Sequence, residues 1–256
     1  MIFLFSAFFI LGSIVGSFLN VVADRTMNGQ SIIFGRSKCD FCNAKLSTFD
    51  LVPILSFVGL RARCRYCNHK LSWQYPIVET LTGMLFVLTL GFFVAQASTS
   101  LFLLFYHLVV ICILIIVSIV DFKFSLVPTA FVFAASLFAL FWNYFGLSSA
   151  DFVLSVVSAF ILAFGFLAIV ILTRGRGMGT GDIPLVFLIG LFLGWPNSIA
   201  AIFLAFLTGA VVSVLLLTVG KKKLGQTIPF APFLVFGTLV ILFWGERIIS
   251  WYLGLL

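Results

Sequence analysis

Two aspartates and four cysteines carry the chemistry this sequence can offer. Asp121 closes an apolar run at Ser118-Ile119-Val120-Asp121, and Asp182 follows the Gly-rich break Arg174-Gly175-Arg176-Gly177-Met178-Gly179-Thr180-Gly181. Each stands at the end of a segment apolar enough to be a membrane helix, and counting crossings puts both at one membrane depth. Two carboxylates that face each other in a low-dielectric site hold one proton between them. The ionised member can then take a proton from water while the other donates to a carbonyl oxygen, which is how paired aspartates hydrolyse a peptide bond without a metal or a covalent intermediate.

A structural explanation competes for each acid singly. Acids at helix ends serve as caps, and Asp182 ahead of Ile183-Pro184 reads as an N-cap. The chain has only eight Asp and Glu, however, and acids retained within a membrane domain point to function. Asp151 and Glu246 fall on the opposite side, and Asp24, Asp40 and Asp50 lie in the one long loop. Glycines at 177, 179 and 181 would let an extended peptide backbone lie close to the acids, or would simply make a loose loop.

The cysteines form two knuckles, Cys39-Asp40-Phe41-Cys42 and Cys64-Arg65-Tyr66-Cys67, separated by the 21 residues from Asn43 to Arg63. Four thiolates at this spacing suit tetrahedral Zn(II), which closes a small fold unable to stabilise itself by burial. Four Cys ligands fill the tetrahedron, so the metal is expected to be structural. A reducing compartment argues against disulfides, and no thioredoxin-like pattern surrounds either knuckle. His69 beside the second knuckle reads as a bystander, and Cys112, alone in an apolar run, as a small buried side chain. Glu79 and His107 are polar groups in or near spans whose roles the sequence leaves open.

The elements that must position these groups are membrane helices. Of the 256 residues, 62% are hydrophobic and 9% charged, against roughly 25% charged in soluble domains. A span needs about 20 apolar residues because no backbone polar group goes unpaired in hydrocarbon. Eight segments approach that length, at 2–23, 76–95, 101–120, 127–146, 152–173, 183–194, 198–219 and 232–253, the sixth of them short. The expectation is an all-α polytopic membrane protein of about eight transmembrane helices, with a small cytoplasmic four-cysteine zinc-binding module between helices 1 and 2. Its parts are a first helix at 1–23, the knuckle domain at 24–75 and the remaining membrane domain at 76–256.

Charge sets the orientation. Placing loop 24–75 in the cytoplasm puts its eight Lys and Arg there, with Lys123, Arg174, Arg176 and Lys221, Lys222 and Lys223, so that 14 of the 15 basic residues share one side. Lys and Arg are retained on the cytoplasmic side. The net charge of +7 is thus topological and suits contact with anionic membrane lipid; it does not indicate nucleic-acid binding. Gly12 and Gly16 in the first span have the small-xxx-small spacing of closely packed helices, and Asn20 is expected to make an interhelical hydrogen bond.

In order along the chain, Gly16-Ser17-Phe18-Leu19-Asn20, the two knuckles, Tyr75-Pro76-x-x-Glu79, Asp121 with Val127-Pro128, Gly179-x-Gly181-Asp182 and Ile228-Pro229-Phe230-Ala231-Pro232-Phe233 resemble the bacterial type IV prepilin peptidases. The resemblance covers essentially the whole chain. It implies a membrane aspartic protease of the Gly-x-Gly-Asp type that removes the basic leader of type IV prepilins and pseudopilins at the cytoplasmic face of the bacterial inner membrane, serving a pilus or secretion system. By the same resemblance Asp121 and Asp182 are the catalytic pair, the knuckled loop is associated with zinc and methylation, and S-adenosylmethionine is the methyl donor where the new N-terminus is methylated. Thr129, Pro184 and Ala231 depart from residues frequent in the family, and none of them removes a catalytic carboxylate.

Gly179, Gly181, Pro229 and Pro232 are the expected substrate-binding positions. The two prolines leave backbone near the start of the last span free of helical pairing, available to an extended substrate. The rival class is a proton- or ion-coupled transporter with a cytoplasmic zinc module, and a third reading is a zinc-stabilised scaffold without activity. A transporter predicts acids near the midplane and two related halves; here both acids lie at one face, and no repeat relates the halves.

Overall fold

The structure, a computed structural model, describes residues 1–32, 35–39, 41–97, 100–175, 178–220 and 228–254. Asp40, Arg176, Gly177 and Lys221 to Lys223, which entered the sequence reading, lie outside the described residues. The helices are α1 (Ile2–Met27), the short α2 (Leu55–Gly59), α3 (Gln74–Ala95), α4 (Leu101–Phe124), α5 (Thr129–Gly146), α6 (Ser149–Leu172), α7 (Asp182–Leu193), α8 (Asn197–Thr218) and α9 (Ala231–Leu253). Among the described residues the only β pairings are two isolated bridges, Lys38 with Lys45 and Arg63 with Lys70.

Seven of these helices, all but α2 and α7, are long and apolar enough to cross a membrane, with mean hydropathies from 1.4 to 3.0. Their outward faces carry large apolar side chains such as Phe133, Leu137, Phe141, Phe164 and Phe203, which lipid solvates and water would not. The chain is a multi-pass membrane protein. The eighth expected span, α7, has only 12 residues. At about 1.5 Å per residue it is roughly 18 Å long, short of a hydrocarbon core of about 30 Å.

The described residues form two compact units, Met1–Ile116 and Val117–Leu256, which divide inside α4. In the first, α1 packs along α3. The contact depends on missing side chains: a Cβ on Gly12 would meet the Gly83 Cα at 2.8 Å, and one on Gly16 would meet the Glu79 Cα at 2.9 Å. Close backbone approach of this kind is how helices associate in lipid, where the hydrophobic effect gives no drive between them. Asn20 fulfils its expected role across the same contact, accepting from Gln74 Nε2 at 3.2 Å.

In the second unit α7 is the centre, packed by α5, α6, α8 and α9. It is apolar on every face, with Leu185, Val186, Leu188 and Ile189 fully buried, as a helix surrounded by protein must be. Because α7 stops short, its last carbonyls end inside the bundle and need partners. Asn143 of α5 donates to the Leu191 carbonyl at 2.7 Å. Ser158 of α6 donates to that of Gly190 at 3.0 Å, which also accepts from the Gly194 amide at 3.0 Å.

Candidate functional site: an aspartate pair and a four-cysteine knuckle

Asp121 lies in the last turn of α4, where the Ser125 amide caps its carbonyl at 2.8 Å. Its side chain is buried, and one carboxylate oxygen accepts the Ala231 N–H at 3.0 Å. Ala231 is the first residue of α9, so this amide is one of the donors a helix start leaves without an intrahelical partner. The donor at this helix start is taken by Asp121, where the sequence reading expected the prolines to leave backbone free for substrate.

Asp182 is the first residue of α7, one position inside the expected cap, with Gly181 at the cap itself. Its amide donates to the Gly179 carbonyl at 3.2 Å, which closes the Gly179-Thr180-Gly181 turn. The side chain is buried and interacts electrostatically with Asp121, so the second unit brings the two acids of the sequence reading together. Gly181 is required by sterics: a Cβ there would lie 2.9 Å from that of Val127, six residues beyond Asp121. The turn before one acid therefore packs on the stretch of chain after the other. A Cβ on Gly179 would meet only ordinary contacts, and this residue is exposed, while Pro229 and Pro232 are half-buried.

In the first unit the sulfurs of Cys39, Cys42, Cys64 and Cys67 all lie within 4.8 Å of one another, and those of Cys39 and Cys67 are 3.9 Å apart. A tetrahedron of sulfurs about 2.3 Å from a metal has edges of about 3.8 Å, so the four cysteines can hold a metal ion. The amides of Cys67 and Tyr66 hold the Cys64 thiol down at about 7. Against the lowering effect of the His69 amide, desolvation and the sulfurs of Cys42, Cys64 and Cys39 push Cys67 up to about 12. Four sulfurs this close cannot all be anionic unless a cation lies among them.

The two knuckles repeat each other, which the sequence reading missed. Ser37-Lys38-Cys39 through Cys42-Asn43-Ala44-Lys45-Leu46-Ser47 matches Ala62-Arg63-Cys64 through Cys67-Asn68-His69-Lys70-Leu71-Ser72, offset by 25 residues. Each bears the same bridge, and Asn43 and Asn68 share a positive φ of 55°, a backbone shape Asn tolerates better than most residues. The Leu46 and Leu71 amides bond back to the Ser37 and Ala62 carbonyls alike. Asp50 ties the repeats together, accepting from Arg65 Nε at 2.7 Å, the Ser47 amide at 3.0 Å and the Tyr66 hydroxyl at 3.3 Å. His69 stacks on Phe41 with centroids 4.2 Å apart, which accounts for it structurally.

Of the two polar groups left open, Glu79 is buried and accepts the Ile54 amide at 2.8 Å, clasping the knuckle loop to α3. His107 sits between Phe93 and Tyr106 with Nδ1 2.8 Å from the Leu103 carbonyl. No sequence signal marks the Ala231 amide, and Asn143 and Ser158 were visible only as polar residues in apolar runs.

Residues 10–93 match the bacterial peptidase A24 N-terminal domain, and residues 108–214 match the type IV leader peptidase family. A protein of Bacillus subtilis (strain 168) named prepilin leader peptidase/N-methyltransferase is 34% identical over 97% of this chain and 97% of its own length. Proteins of the same name from Legionella pneumophila and Pseudomonas aeruginosa are 31% identical over 88% of this chain and 77% of theirs, and 27% identical over 95% and 91%. No solved structure matches.

Proposed function

Because the chain belongs to the type IV leader peptidase family, we propose that it is a membrane aspartic endopeptidase that cuts the leader from type IV prepilins or pseudopilins. The observation that carries this reading is the pair of buried aspartates, Asp121 at the end of α4 and Asp182 at the start of α7, whose charges interact. Relatives named for prepilin cleavage support the substrate class. The transporter alternative has no support among them.

In this mechanism the two carboxylates share one proton. The ionised member takes a proton from water as the oxygen attacks the scissile carbonyl, and the other donates its proton to the carbonyl oxygen. Collapse of the tetrahedral intermediate returns that proton and passes the first to the leaving amine, so the pair ends as it began. The Ala231 amide holds one Asp121 oxygen, which leaves the other to face the water. Gly179, Gly181, Pro229 and Pro232 are assigned to the extended substrate backbone, with Gly181 also fixing Asp182 against Val127.

The distribution of Lys and Arg supports a cytoplasmic position for the knuckle loop and for both acids, where a basic leader followed by an apolar segment would present its cleavage site. Zinc is the metal proposed for Cys39, Cys42, Cys64 and Cys67. When bound it supplies a structural cross-link between the two knuckles, with no part in the cleavage. The relatives' names support N-methylation as a second activity, with S-adenosylmethionine as donor. Among the described residues the cavity beside the knuckle loop is lined by apolar side chains, Thr80 and Arg61; with a cation and no carboxylate it does not suit a cationic sulfonium nucleoside, so no residue is assigned to the methyl donor.

The test is cleavage of a type IV prepilin in membranes carrying the intact chain, Asp121→Asn or Asp182→Asn, read as pilin mass. The intact chain is expected to remove the leader. Each substitution should abolish cleavage while the protein stays inserted, since acid–base groups of this kind contribute about 10²–10⁴ each. Cleavage that survives either substitution rejects the two-aspartate mechanism. A pilin heavier by one methyl group after cleavage identifies the second activity.

A further inference from the structure

The first unit carries a groove whose reading is independent of the proposed peptidase activity. This groove of about 710 Å³ runs between the short helix α2 and the start of α3, within the range of about 300–1,000 Å³ typical of small-molecule sites. Phe57, Trp73, Ile77, Leu81 and Met84 form its apolar walls, and among the described residues Arg61 is the one charged group lining it. The site is framed firmly. Glu79 holds the Ile54 amide at 2.8 Å, and Phe57 meets Trp73 edge-on with centroids 5.0 Å apart.

Three features say what fits it. First, α3 is a membrane span, and Ile77, Leu81 and Met84 stand exposed at turn intervals on its outer side, so the groove opens to hydrocarbon. Second, Trp73, 67% exposed at the head of that span, is an interfacial residue that marks headgroup depth. Third, the exposed Arg61 side chain has no hydrogen bond or ion pair among the described residues. An apolar slot that faces acyl chains and ends in an unpaired cation at headgroup level is complementary to an anionic lipid. We propose that this groove binds one anionic phospholipid, an acyl chain along α3 and the phosphate at Arg61.

The test uses the purified full chain in phosphatidylcholine vesicles doped with an equal, small mole fraction of dibrominated phosphatidylglycerol or dibrominated phosphatidylcholine. The Trp73 signal is the difference in fluorescence between the intact chain and Trp73→Phe. Brominated phosphatidylglycerol is expected to quench it about fivefold more effectively, the ratio that one basic side chain near an anionic surface supports. Arg61→Gln should bring the two lipids level, and Arg63→Gln, at a neighbouring exposed arginine outside the groove, should leave the preference intact. Equal quenching by both lipids in the intact chain overturns the proposal, and so does a preference that survives Arg61→Gln. Quenching relieved by added prepilin apolar segment would make the occupant a substrate helix and overturn the lipid assignment.

Discussion

Replacing Asn143 with Leu tests how a helix too short for the bilayer is held in place. Asn143 is 3% exposed, and its Nδ2 reaches the Leu191 carbonyl at 2.7 Å. Leucine has the same number and branching of side-chain heavy atoms, so the change removes the donor without opening a cavity. The Leu191 carbonyl is then left buried, at a cost of about 1–3 kcal/mol. Leucine's better helix propensity returns about 0.5 kcal/mol of that at most, so the net effect stays destabilising.

Ser158→Ala provides the scale, because the Gly190 carbonyl keeps its bond from the Gly194 amide. Losing one of two donors should cost only about 0.6 kcal/mol, the average for side-chain hydrogen bonds between membrane helices. The assay is equilibrium unfolding of the purified chain in mixed micelles, titrated with SDS and followed by circular dichroism. Asn143→Leu is expected to lower the unfolding free energy by about 1–3 kcal/mol and Ser158→Ala by less. Below the unfolding transition both variants should cleave prepilin, since neither residue touches the acids. If Asn143→Leu is neutral, or Ser158→Ala costs as much, then the buried end of α7 does not depend on these caps.

Ala231→Pro removes the amide that Asp121 accepts, while proline is tolerated at the first position of a helix. Prepilin cleavage should slow by roughly 10–100-fold, the equivalent of a charge-assisted hydrogen bond, whereas Ala231→Gly, which keeps the amide, should cleave normally; equal rates would show that the contact is dispensable. At the knuckles, metal analysis of the purified chain should find one zinc ion, lost in a Cys39→Ser, Cys64→Ser double variant. With Cys64 near 7 and Cys67 near 12, adding zinc to the stripped chain at pH 7 should release at least the Cys67 proton. Because ligands must lose protons to bind, affinity should fall as the pH drops below 7, and pH-independent binding would contradict a thiolate site.

The spans were legible because lipid imposes a severe rule on composition, and all eight segments appear as helices. The acids were legible for the same reason, since Asp121 and Asp182 stand out against so little other charge. What escaped was whatever has no side-chain signature. The Ala231 amide is a backbone donor 110 residues from Asp121 in sequence, and nothing in the identity of alanine announces it. The shortness of α7 was visible, but the consequence that its end must be capped from α5 and α6 depends on which helices surround it. The repeat of the knuckles was available in the letters and is obscured by the cysteines, which draw the eye first; the shared Asn after each Cys-x-x-Cys was the signal.

The link between Asp121 and Ala231 also bears on the order of events at the ribosome. Synthesis proceeds at about 5–20 residues per second, so the 110 residues between them take roughly 6–20 s. Through that interval the carboxylate of Asp121 is in the membrane without the amide that orients it, and Asp182 arrives midway. A chain halted before α9 is expected to insert and yet leave prepilin uncut; cleavage by such a chain would disprove the dependence. On that dependence, a protease assembled this late would stay silent while its own apolar segments pass through the insertion machinery, when unpaired extended backbone is most abundant around it.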